Sequence, residues 1–423
     1  MNIVQVSLGW IRIPVEAGAV GLVVLNLSRE LVRMGHNVVI LDRKYSKGDP
    51  DVEYIDGVKI IRLASRRFDL SSFEKGRFVH IFSGIRMALN QFVFALSANS
   101  YLARAKDVDI IHTHTSIIGL VLAWLSPSLR SRLIYSSHSP RRLMKSPSFL
   151  DRLALLPENK LASLVKKIIV NDERVRAKLT IAAKMKLPDI VTVHFGVDLD
   201  RFNPNIDGIG IRQKYGLEGK DVILFVGTIN ERKGVEYLVK AANIVVNEYE
   251  YRNVSFLLVG PVEAFGLKED IQTPYMAKTL SLIKNYGLKQ NVKLTGLVPQ
   301  EELGSFYAAC DIFVLPTLGE ATATPAVVLE AMACGRPVVV TRVGGMPVQV
   351  RDRHSSFLVD PADEKQLAQM IAYLIDNREQ AKEMGAYGRR IAEEEFNWNR
   401  IAERILQVYE AVVSPPEHGN RND

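Results

Sequence analysis

Cysteine is scarce in this sequence: Cys310 and Cys334 are the only two among 423 residues. Two cysteines cannot form a disulfide framework, and no Cys–His set has the spacing of a zinc site. Sparing use of cysteine is typical of proteins in a reducing compartment. We therefore expect a cytoplasmic protein that needs no structural metal.

Long apolar runs are missing too. No stretch of about 18 apolar residues occurs, so the sequence predicts no transmembrane helix. The start, MNIVQVSLGWIRIP, lacks the basic head, apolar centre and cleavage site of a signal peptide. A P-loop and a Gly-x-Ser-x-Gly motif are also absent, which argues against the enzyme classes that depend on them.

Charge is plentiful but uneven. The formal net charge is +7; residues 1–200 hold 29 Lys and Arg against 18 Asp and Glu, and the remainder hold 25 against 29. A basic N-terminal half favours an anionic partner, such as nucleic acid, an anionic membrane or a phosphorylated substrate. Solubility alone is the simpler alternative, and the charge distribution does not choose between them.

Short apolar segments alternate with amphipathic helical patterns along the chain, which predicts an α/β fold with doubly wound parallel sheets. The length predicts two domains. A segment rich in Gly, Asp, Asn and Pro, near residues 196–210, predicts the linker between domains 1–200 and 201–397. Two such domains are expected to bind a ligand in a cleft between them. The predicted strands are NIVQVSL, NVVIL, VKIIRL, VDIIHT, RLIYSS and KKIIV, then DVILFVG, VSFLLVG, NVKLTG, DIFVLP and RPVVVT.

The stretch TLGEATATPAVVLEAMACGRPVVVT predicts a loop, a short helix and a buried strand. Thr324 is expected to cap the helix with Pro325 at its first position, and Gly335 is expected to close it. A short helix with free N–H groups and a carboxylate, Glu330, two turns in suits a ligand platform. An ordinary crossover with a solvated Glu330 is the alternative.

A second stretch, VGTINERKG, follows the first predicted strand of the second series. Arg232 and Lys233 beside Gly234 place two cations next to a helix N-terminus, which suits a diphosphate. An exposed basic turn is the alternative.

The first domain offers further candidates. The segment GAVG, Gly18 to Gly21, precedes a helix and would let a substrate approach the backbone. It is not a dinucleotide fingerprint, because GWIRIPVEA separates it from its strand. Three histidines end predicted strands: His112, His114 and His138. His112 and His114 form an H-x-H pattern, but without a nearby cysteine or a third clustered ligand we do not expect a zinc site.

Four segments together resemble the family-4 glycosyltransferases, retaining enzymes of the GT-B fold that use nucleotide-sugar donors. They are LEAMACGRPVVVTRVGG, VGTINERKGVEYLVKA, VHFGVDLDRFNP and VKLTGLVPQEELGSFYAACDIFVLPT. The resemblance extends from Asn2 to about Val413. It implies two Rossmann-like domains facing across a cleft, the first on the acceptor side and completed by the last helix, 398–413, before a tail, 414–423.

The resemblance also implies roles for single residues. The family's phosphate-binding lysine falls on Lys233, and the glutamate that binds the donor ribose falls on Glu330. Its glycine-rich loop near the sugar and acceptor falls on Gly18 to Gly21, and its active-site histidine on His138. Further donor contacts are expected from the start of the helix: Thr324, Pro325, Ala326 and Val327.

Three positions depart from the family pattern. The family has two glutamates separated by seven residues, which would place the first at Thr322, but the nearest acid is Glu320. We expect Glu320 to take that place near the donor sugar. A common arginine is Thr228 here, so Arg232 is expected to supply its charge. A common acid near the following turn is Val348.

The expected function is a retaining transfer of a sugar from a nucleotide-diphosphate sugar to a hydroxyl of a sugar, glycan or lipid-linked acceptor. Lys233 and Arg232 would stabilise the leaving diphosphate without a metal or other cofactor, and His138 would contact the sugar or acceptor. A GT-B sugar phosphorylase or a nucleotide-sugar epimerase is the alternative enzyme. A basic nucleic-acid-binding protein is the alternative from another class, but its aromatic residues would have to interleave with the basic ones.

The N-terminal half also suggests peripheral membrane binding. Residues 60–106 hold eight Lys and Arg, two Asp and Glu and six Phe, and residues 130–186 hold fourteen Lys and Arg against four Asp and Glu. Basic residues mixed with apolar ones suit docking on anionic lipid, with access to a lipid-linked acceptor. Core aromatics with solvated charges are the alternative.

Overall fold

The computed structural model describes residues 1–13, 19–69, 79–138, 140–143, 148–182, 189–262, 273–319 and 324–414. The chain divides into two compact units. The first comprises Met1–Phe195 and the chain from Trp398 onward, and the second comprises Gly196–Asn397. Helices and strands are numbered below in chain order through both units.

The described part of the first unit is an α/β layer around a sheet of eight strands. The strands are β1 Asn2–Val6, β2 Asn37–Arg43, β3 Val52–Ile55, β4 Val58–Leu63, β5 Ile110–Thr113, β6 Leu133–Ser137, β7 Lys167–Val170 and β8 Asp189–Thr192. The helices are α1 Ala19–Arg33, α2 Val79–Leu102, α3 Ser116–Leu125, α4 Phe149–Ala154, α5 Leu156–Ala162, α6 Glu173–Ala182 and α15 Trp398–Val413.

The strand order in this sheet is β3-β4-β2-β1-β5-β6-β7-β8. The hairpin β3–β4 is antiparallel, and the other neighbouring pairs are parallel. Its central strands are apolar and buried because helices cover both faces of a parallel sheet. The last helix, α15, belongs to this unit: Trp398, Ile401 and Ile405 share one core cluster with Ile3 of β1.

The second unit is a parallel sheet of six described strands. They are β9 Asp221–Val226, β10 Val254–Val259, β11 Val292–Gly296, β12 Ile312–Leu315, β13 Val338–Thr341 and β14 Ser356–Val359. The helices are α7 Ile209–Tyr215, α8 Val235–Asn243, α9 Pro274–Asn285, α10 Leu303–Ala309, α11 Ala326–Ala333, α12 Met346–Gln349, α13 Glu364–Asp376 and α14 Arg378–Glu395. One continuous apolar core lies between these helices and the sheet.

The strand order of the second sheet is β11-β10-β9-β12-β13-β14. The order reverses between β9 and β12, and ligands of doubly wound sheets bind outside the carboxyl ends of the strands at such a point. The prediction of doubly wound parallel sheets is confirmed for each unit. The sequence patterns missed β3, β8 and β14, and the predicted linker was too long at its end, because α7 already begins at Ile209.

Candidate active site

A tight turn follows β9 and carries two of the predicted site residues. The turn Glu231–Lys233 is capped by Asn230, whose side-chain oxygen accepts from the Lys233 N–H at 3.1 Å. Gly234 then has φ of +69°, and a Cβ at this position would lie 1.9 Å from the Pro316 carbonyl oxygen. Only glycine fits so close to the segment that leaves β12. The fold thereby places the Lys233 turn beside that segment.

Lys233 is half-buried in this turn, whereas Arg232 is exposed. The Lys233 side chain runs past Gly227 at the end of β9, where a Cβ on the glycine would lie 3.8 Å from the lysine Cε. Burial, with a smaller contribution from the neighbouring Arg232 charge, lowers the pKa of Lys233 to about 8. The Arg232 carbonyl accepts from the Leu318 N–H at 2.9 Å, which ties the turn to the β12 end.

Glu330 lies half-buried on α11. Its Oε2 accepts a hydrogen bond of 2.7 Å from the hydroxyl of Tyr307, a fully buried residue of α10. Burial raises the pKa of Glu330, and the Tyr307 hydrogen bond and the Arg201 charge oppose that rise. Tyr307 was not among the predicted site residues. Its place in the FYAACDIFVLP segment, just before β12, was the available signal.

The start of α11 differs from the prediction. Thr324 does not cap the helix: α11 begins at Ala326, Pro325 is its N-cap with extended backbone, and no side chain caps it. The Thr324 hydroxyl oxygen is buried without a partner among the described residues. Gln349 of α12 donates to the Pro325 carbonyl at 3.1 Å. The first N–H groups of the helix, including that of Val327, lack intrahelical acceptors as at any helix start.

The other end of α11 follows the prediction. Gly335 has φ of +68°, and its N–H donates to the Met332 carbonyl at 2.9 Å. Glu320 and Thr322 are the two alternatives for the position of the family's first glutamate. Both lie outside the described residues.

In the first unit, His138 comes directly after β6 and is half-buried, as expected for a strand end. It lines a cavity together with His112, His114, Asn171 and Phe195. Burial lowers the pKa of His138 to about 4, so its ring is neutral at pH 7. The prediction that Gly18 to Gly21 precede the helix was wrong for Gly21, which is buried in the first turn of α1 because the helix already begins at Ala19. Gly18 lies outside the described residues.

His112 and His114 are occupied by hydrogen bonds to Tyr409, Ser136, Gln5 and His138. In the part of the chain that the structure describes, no three His, Cys, Asp or Glu side chains form a group that could hold a metal ion.

Comparison with known proteins agrees with this arrangement. Two family models match the chain: Glycosyltransferase Family 4 over residues 20–201 and Glycosyl transferases group 1 over residues 209–391. The D-inositol 3-phosphate glycosyltransferase of Corynebacterium urealyticum is 26% identical over 415 residues, which cover 96% of this chain and 93% of the relative. D-inositol 3-phosphate glycosyltransferase 2 of Catenulispora acidiphila is 28% identical over 410 residues, with 94% and 91% covered.

Solved structures show the same fold. Sucrose-phosphate synthase from Thermosynechococcus elongatus superposes with a TM-score of 0.76 at 25% identity, covering 97% of this chain and 98% of that one. Anabaena HepE, solved in complex with UDP-glucose, gives a TM-score of 0.72 at 18% identity, covering 97% and 100%. The second likeness concerns the fold alone.

The two family models adjoin near the boundary between the two units, and the relatives extend over nearly the whole chain. The protein therefore belongs to the group 1, family-4 glycosyltransferases of the GT-B fold, enzymes that transfer a sugar from a nucleotide-sugar donor to an acceptor.

Proposed function

We propose that the second unit binds a nucleoside-diphosphate sugar at the strand-order reversal between β9 and β12. Lys233 and Arg232 hold the diphosphate, and Glu330 accepts hydrogen bonds from the ribose hydroxyls. The sugar passes with retention to an acceptor hydroxyl. Lys233 and Arg232 stabilise the charge that develops on the departing diphosphate, so that no metal ion is needed.

The proposal depends mainly on the surroundings of the Lys233 side chain. Its ammonium group is half-buried, and among the described residues no carboxylate contributes to its pKa. A buried charge without a counter-charge is costly, and a bound anion would offset that cost. The glycine-only contact between Gly234 and Pro316 fixes the turn, so the cation is placed before the donor arrives.

The test is a transfer assay on the purified protein. Mixing a nucleotide sugar with an acceptor should release nucleoside diphosphate, and a panel of nucleotide sugars screened by thermal shift should identify the donor. A ligand at about 100 times its Kd raises the free energy of unfolding by about 2.7 kcal/mol, which such a screen detects. Dependence of turnover on orthophosphate would instead indicate a sugar phosphorylase.

For the acceptor we propose a phosphorylated polyol as the first compound to test. The names of both relatives state D-inositol 3-phosphate, and the first unit here has an excess of basic residues that favours an anionic acceptor. The matched control is the same polyol without its phosphate. Equal turnover with both compounds would contradict this choice.

His138 is proposed to contact the transferred sugar or the acceptor. His138→Ala should therefore lower turnover and leave the affinity for free nucleoside diphosphate unchanged, since the diphosphate contacts are assigned to Lys233 and Arg232. Normal turnover in this variant would remove His138 from the site.

We further propose that the first unit docks on an anionic membrane through α2. An apolar stripe on this helix is exposed to solvent: Ile85, Leu89, Phe92 and Leu96 are 46%, 38%, 47% and 38% exposed. Their spacing of four, three and four residues puts them on one face of the helix. Arg86 is the only charged residue between Val79 and Leu102, so this exposed face is not a solvated charged one.

Charge favours lipid as the partner of this stripe. α2 packs against α3, and α3 packs against α5. Exposed basic residues lie within or near these helices in the sequence: Arg104, Lys106, Arg132, Arg152, Lys160 and Lys166. Exposed apolar side chains and exposed cations on one unit suit the boundary between headgroups and acyl chains. Among the described residues, no helix is long and apolar enough to cross a bilayer.

Liposome co-sedimentation tests the docking. The protein should bind vesicles that contain anionic lipid at low salt, and Phe92→Ser with Leu96→Ser should weaken this binding. Ile181→Ser, which replaces an exposed apolar residue of α6, is the control. Absence of binding at low salt would contradict the proposal. A change from dimer to monomer without an effect on lipid binding would make the stripe an interface between two copies.

A further inference from the structure

A set of buried polar side chains lies where the sheet of the first unit should be apolar. Gln5 is on the central strand β1, and His112 is opposite it in register on β5; both are fully buried. Tyr409, also fully buried, faces them from α15. Buried polar groups destabilise the fold unless they are hydrogen-bonded, so their partners show what they do.

These side chains form one hydrogen-bonded chain that ends at His138. Gln5 Nε2 lies 3.0 Å from the Tyr409 hydroxyl, and Gln5 Oε1 lies 2.9 Å from His114 Nε2. His114 Nδ1 in turn lies 3.0 Å from His138 Nε2, with the two rings within 11° of parallel. On the other branch, the Tyr409 hydroxyl is 2.7 Å from His112 Nδ1.

The position of each proton follows from the amide of Gln5. An amide oxygen only accepts, so His114 must carry its proton on Nε2 to donate to Gln5 Oε1. Burial lowers the pKa of His114 well below its usual value, so the ring is neutral and His114 Nδ1 holds a lone pair. His138 Nε2 must then carry the proton that lies between the two rings. This leaves His138 Nδ1 without a proton.

That remaining nitrogen is a buried acceptor that lacks a donor among the described residues. His138 Nδ1 is shielded from solvent and has no hydrogen-bond partner among the described residues. The ring lines the cavity at the carboxyl ends of β5 and β6. A neutral nitrogen with a lone pair accepts from a hydroxyl group and has no attraction for a phosphate.

We propose that Gln5 and His114 are positioning residues that hold His138 in the tautomer protonated on Nε2, so that its Nδ1 accepts a hydrogen bond from a hydroxyl of the sugar or acceptor. This inference rests on the proposed function, in which His138 contacts that substrate. Gln5 acts only through His114, and His114 only through His138.

The opposite proton arrangement is the competing state. If the Gln5 amide were turned, its nitrogen would donate to His114 Nε2, and His114 Nδ1–H would donate to His138 Nε2. His138 would then carry its proton on Nδ1 and would be a donor to the substrate. The two states therefore differ in a property that can be measured at His138 itself.

The experiment is nitrogen-15 NMR of the full chain labelled at histidine, without substrate. The sequence holds eight histidines, and the His138 signals are identified by their loss in His138→Ala. The expected result is a protonated Nε2 and an unprotonated Nδ1 in the unmodified protein. In Gln5→Leu, which removes the acceptor for His114, both tautomers of His138 should appear. A proton on Nδ1 of the unmodified protein, or an unchanged tautomer in Gln5→Leu, overturns the proposal.

Kinetics provide the second measurement. Gln5→Leu should lower kcat by about tenfold, the effect of one misdirected hydrogen bond, with nucleoside diphosphate affinity kept. Ile3→Val is the matched control, because Ile3 is a buried residue of the same strand outside the hydrogen-bonded chain. It should lower the Tm and leave both the tautomer and kcat unchanged.

Different results would contradict the proposed role of His138 and its proposed positioning by Gln5 and His114. If His138→Ala keeps normal turnover while the NMR tautomers are as expected, the assigned role of His138 is wrong and the positioning by Gln5 and His114 stands. If His138→Ala loses turnover and the tautomer is the opposite one, the positioning is wrong and the role of His138 stands.

Discussion

Lys233 carries its charge in a half-buried turn, and this placement makes its proton easier to remove than that of a solvated lysine. Its pKa is lowered to about 8, chiefly by burial. In the absence of donor, the cation that is proposed to hold the diphosphate is therefore lost just above neutral pH. Lys233 should be protonated to a higher pH in the donor-bound protein than in the ligand-free protein, because a bound diphosphate favours the charged form of the lysine.

The first prediction concerns this titration. Affinity for nucleoside diphosphate should fall as the pH rises through about 8, because Lys233 loses its proton there. Lys233→Met should weaken binding at pH 7 by roughly 1.5–3 kcal/mol and abolish that fall. Calorimetry at several pH values measures both. Lys240→Met, at a lysine paired with Glu236 at 3.1 Å on α8, is the control and should change neither.

The contribution of Lys233 to the free energy of unfolding should rise with pH, whereas the affinity for nucleoside diphosphate should fall. The pKa of Lys233 is about 8 in the folded protein and 10.5 as its unperturbed value, so the unfolded chain binds more protons between these limits. The contribution of Lys233 to the free energy of unfolding therefore rises with pH across this window. Lys233→Met should remove that rise.

The second prediction concerns Tyr307, whose hydroxyl donates to Glu330 at 2.7 Å. Tyr307→Phe removes a hydrogen bond that opposes the rise in the pKa of Glu330, so this pKa should rise further in the variant. Affinity for nucleoside diphosphate should fall by about 1 kcal/mol and recover as the pH is raised. Tyr251→Phe, which loses a 2.7 Å hydrogen bond to Asp376, is the control and should leave affinity unchanged.

Sequence reasoning and structure diverge at single residues for a clear reason. Lys233, Glu330 and His138 were predicted as site residues because each lies in a local motif that the family resemblance covers. Tyr307 lies 23 residues before Glu330, and Gln5 lies 109 residues before His114. Contacts at such separations depend on how strands are ordered in a sheet, which no local pattern specifies.

At the scale of elements, local chemistry predicted some ends and missed others. Gly335, which was predicted to close α11, has positive φ (+68°), and Gly35 after α1 has positive φ as well (+86°). The hairpin β3–β4 was missed although Asp56 and Gly57 both have positive φ in its two-residue turn. The Asp-Gly pair between VEYI and VKIIRL was a sufficient signal for it. The start of α11 was misplaced because Pro325 is extended rather than helical, with ψ of 127°.

The third prediction concerns the segment that leads into α11. If Glu320 replaces the family's first glutamate, Glu320→Gln should lower turnover by at least about tenfold, near 1.4 kcal/mol, with nucleotide affinity kept. Thr322→Val should have a milder effect, because a hydroxyl is an uncharged and weaker partner. Turnover and calorimetry on the two single variants decide between them. The reverse ranking would assign the position to Thr322.

At the scale of the whole molecule, the doubly wound fold of each unit could be predicted because alternating apolar segments and helices specify parallel sheets. The membership of α15 in the first unit came from the family resemblance, since its amphipathic pattern alone does not name the surface it covers. Its buried residues form one cluster with β1 and α1, through Ile3 and Leu27.

The fourth prediction follows from the separate cores of the two units. A fragment of residues 196–397 contains its whole apolar core and should fold alone, with dispersed NMR signals and a cooperative thermal transition. A fragment of residues 1–195 lacks α15 and should be partly unfolded and bind hydrophobic dyes. Adding a peptide of residues 398–414 in excess should restore it. A cooperative transition in fragment 1–195 by itself would contradict this dependence.

The return of the chain to the first unit at Trp398 has a consequence for protein synthesis. The ribosome releases the chain from its N-terminus, so β1 to β8 emerge long before α15, which completes their core. The second unit is synthesised later but can fold before the first unit is complete, because the apolar face that α15 covers is still exposed. Premature termination just before Trp398 would release chains with a folded second unit and an incomplete first unit. Cellular proteases would then cleave the incomplete first unit first.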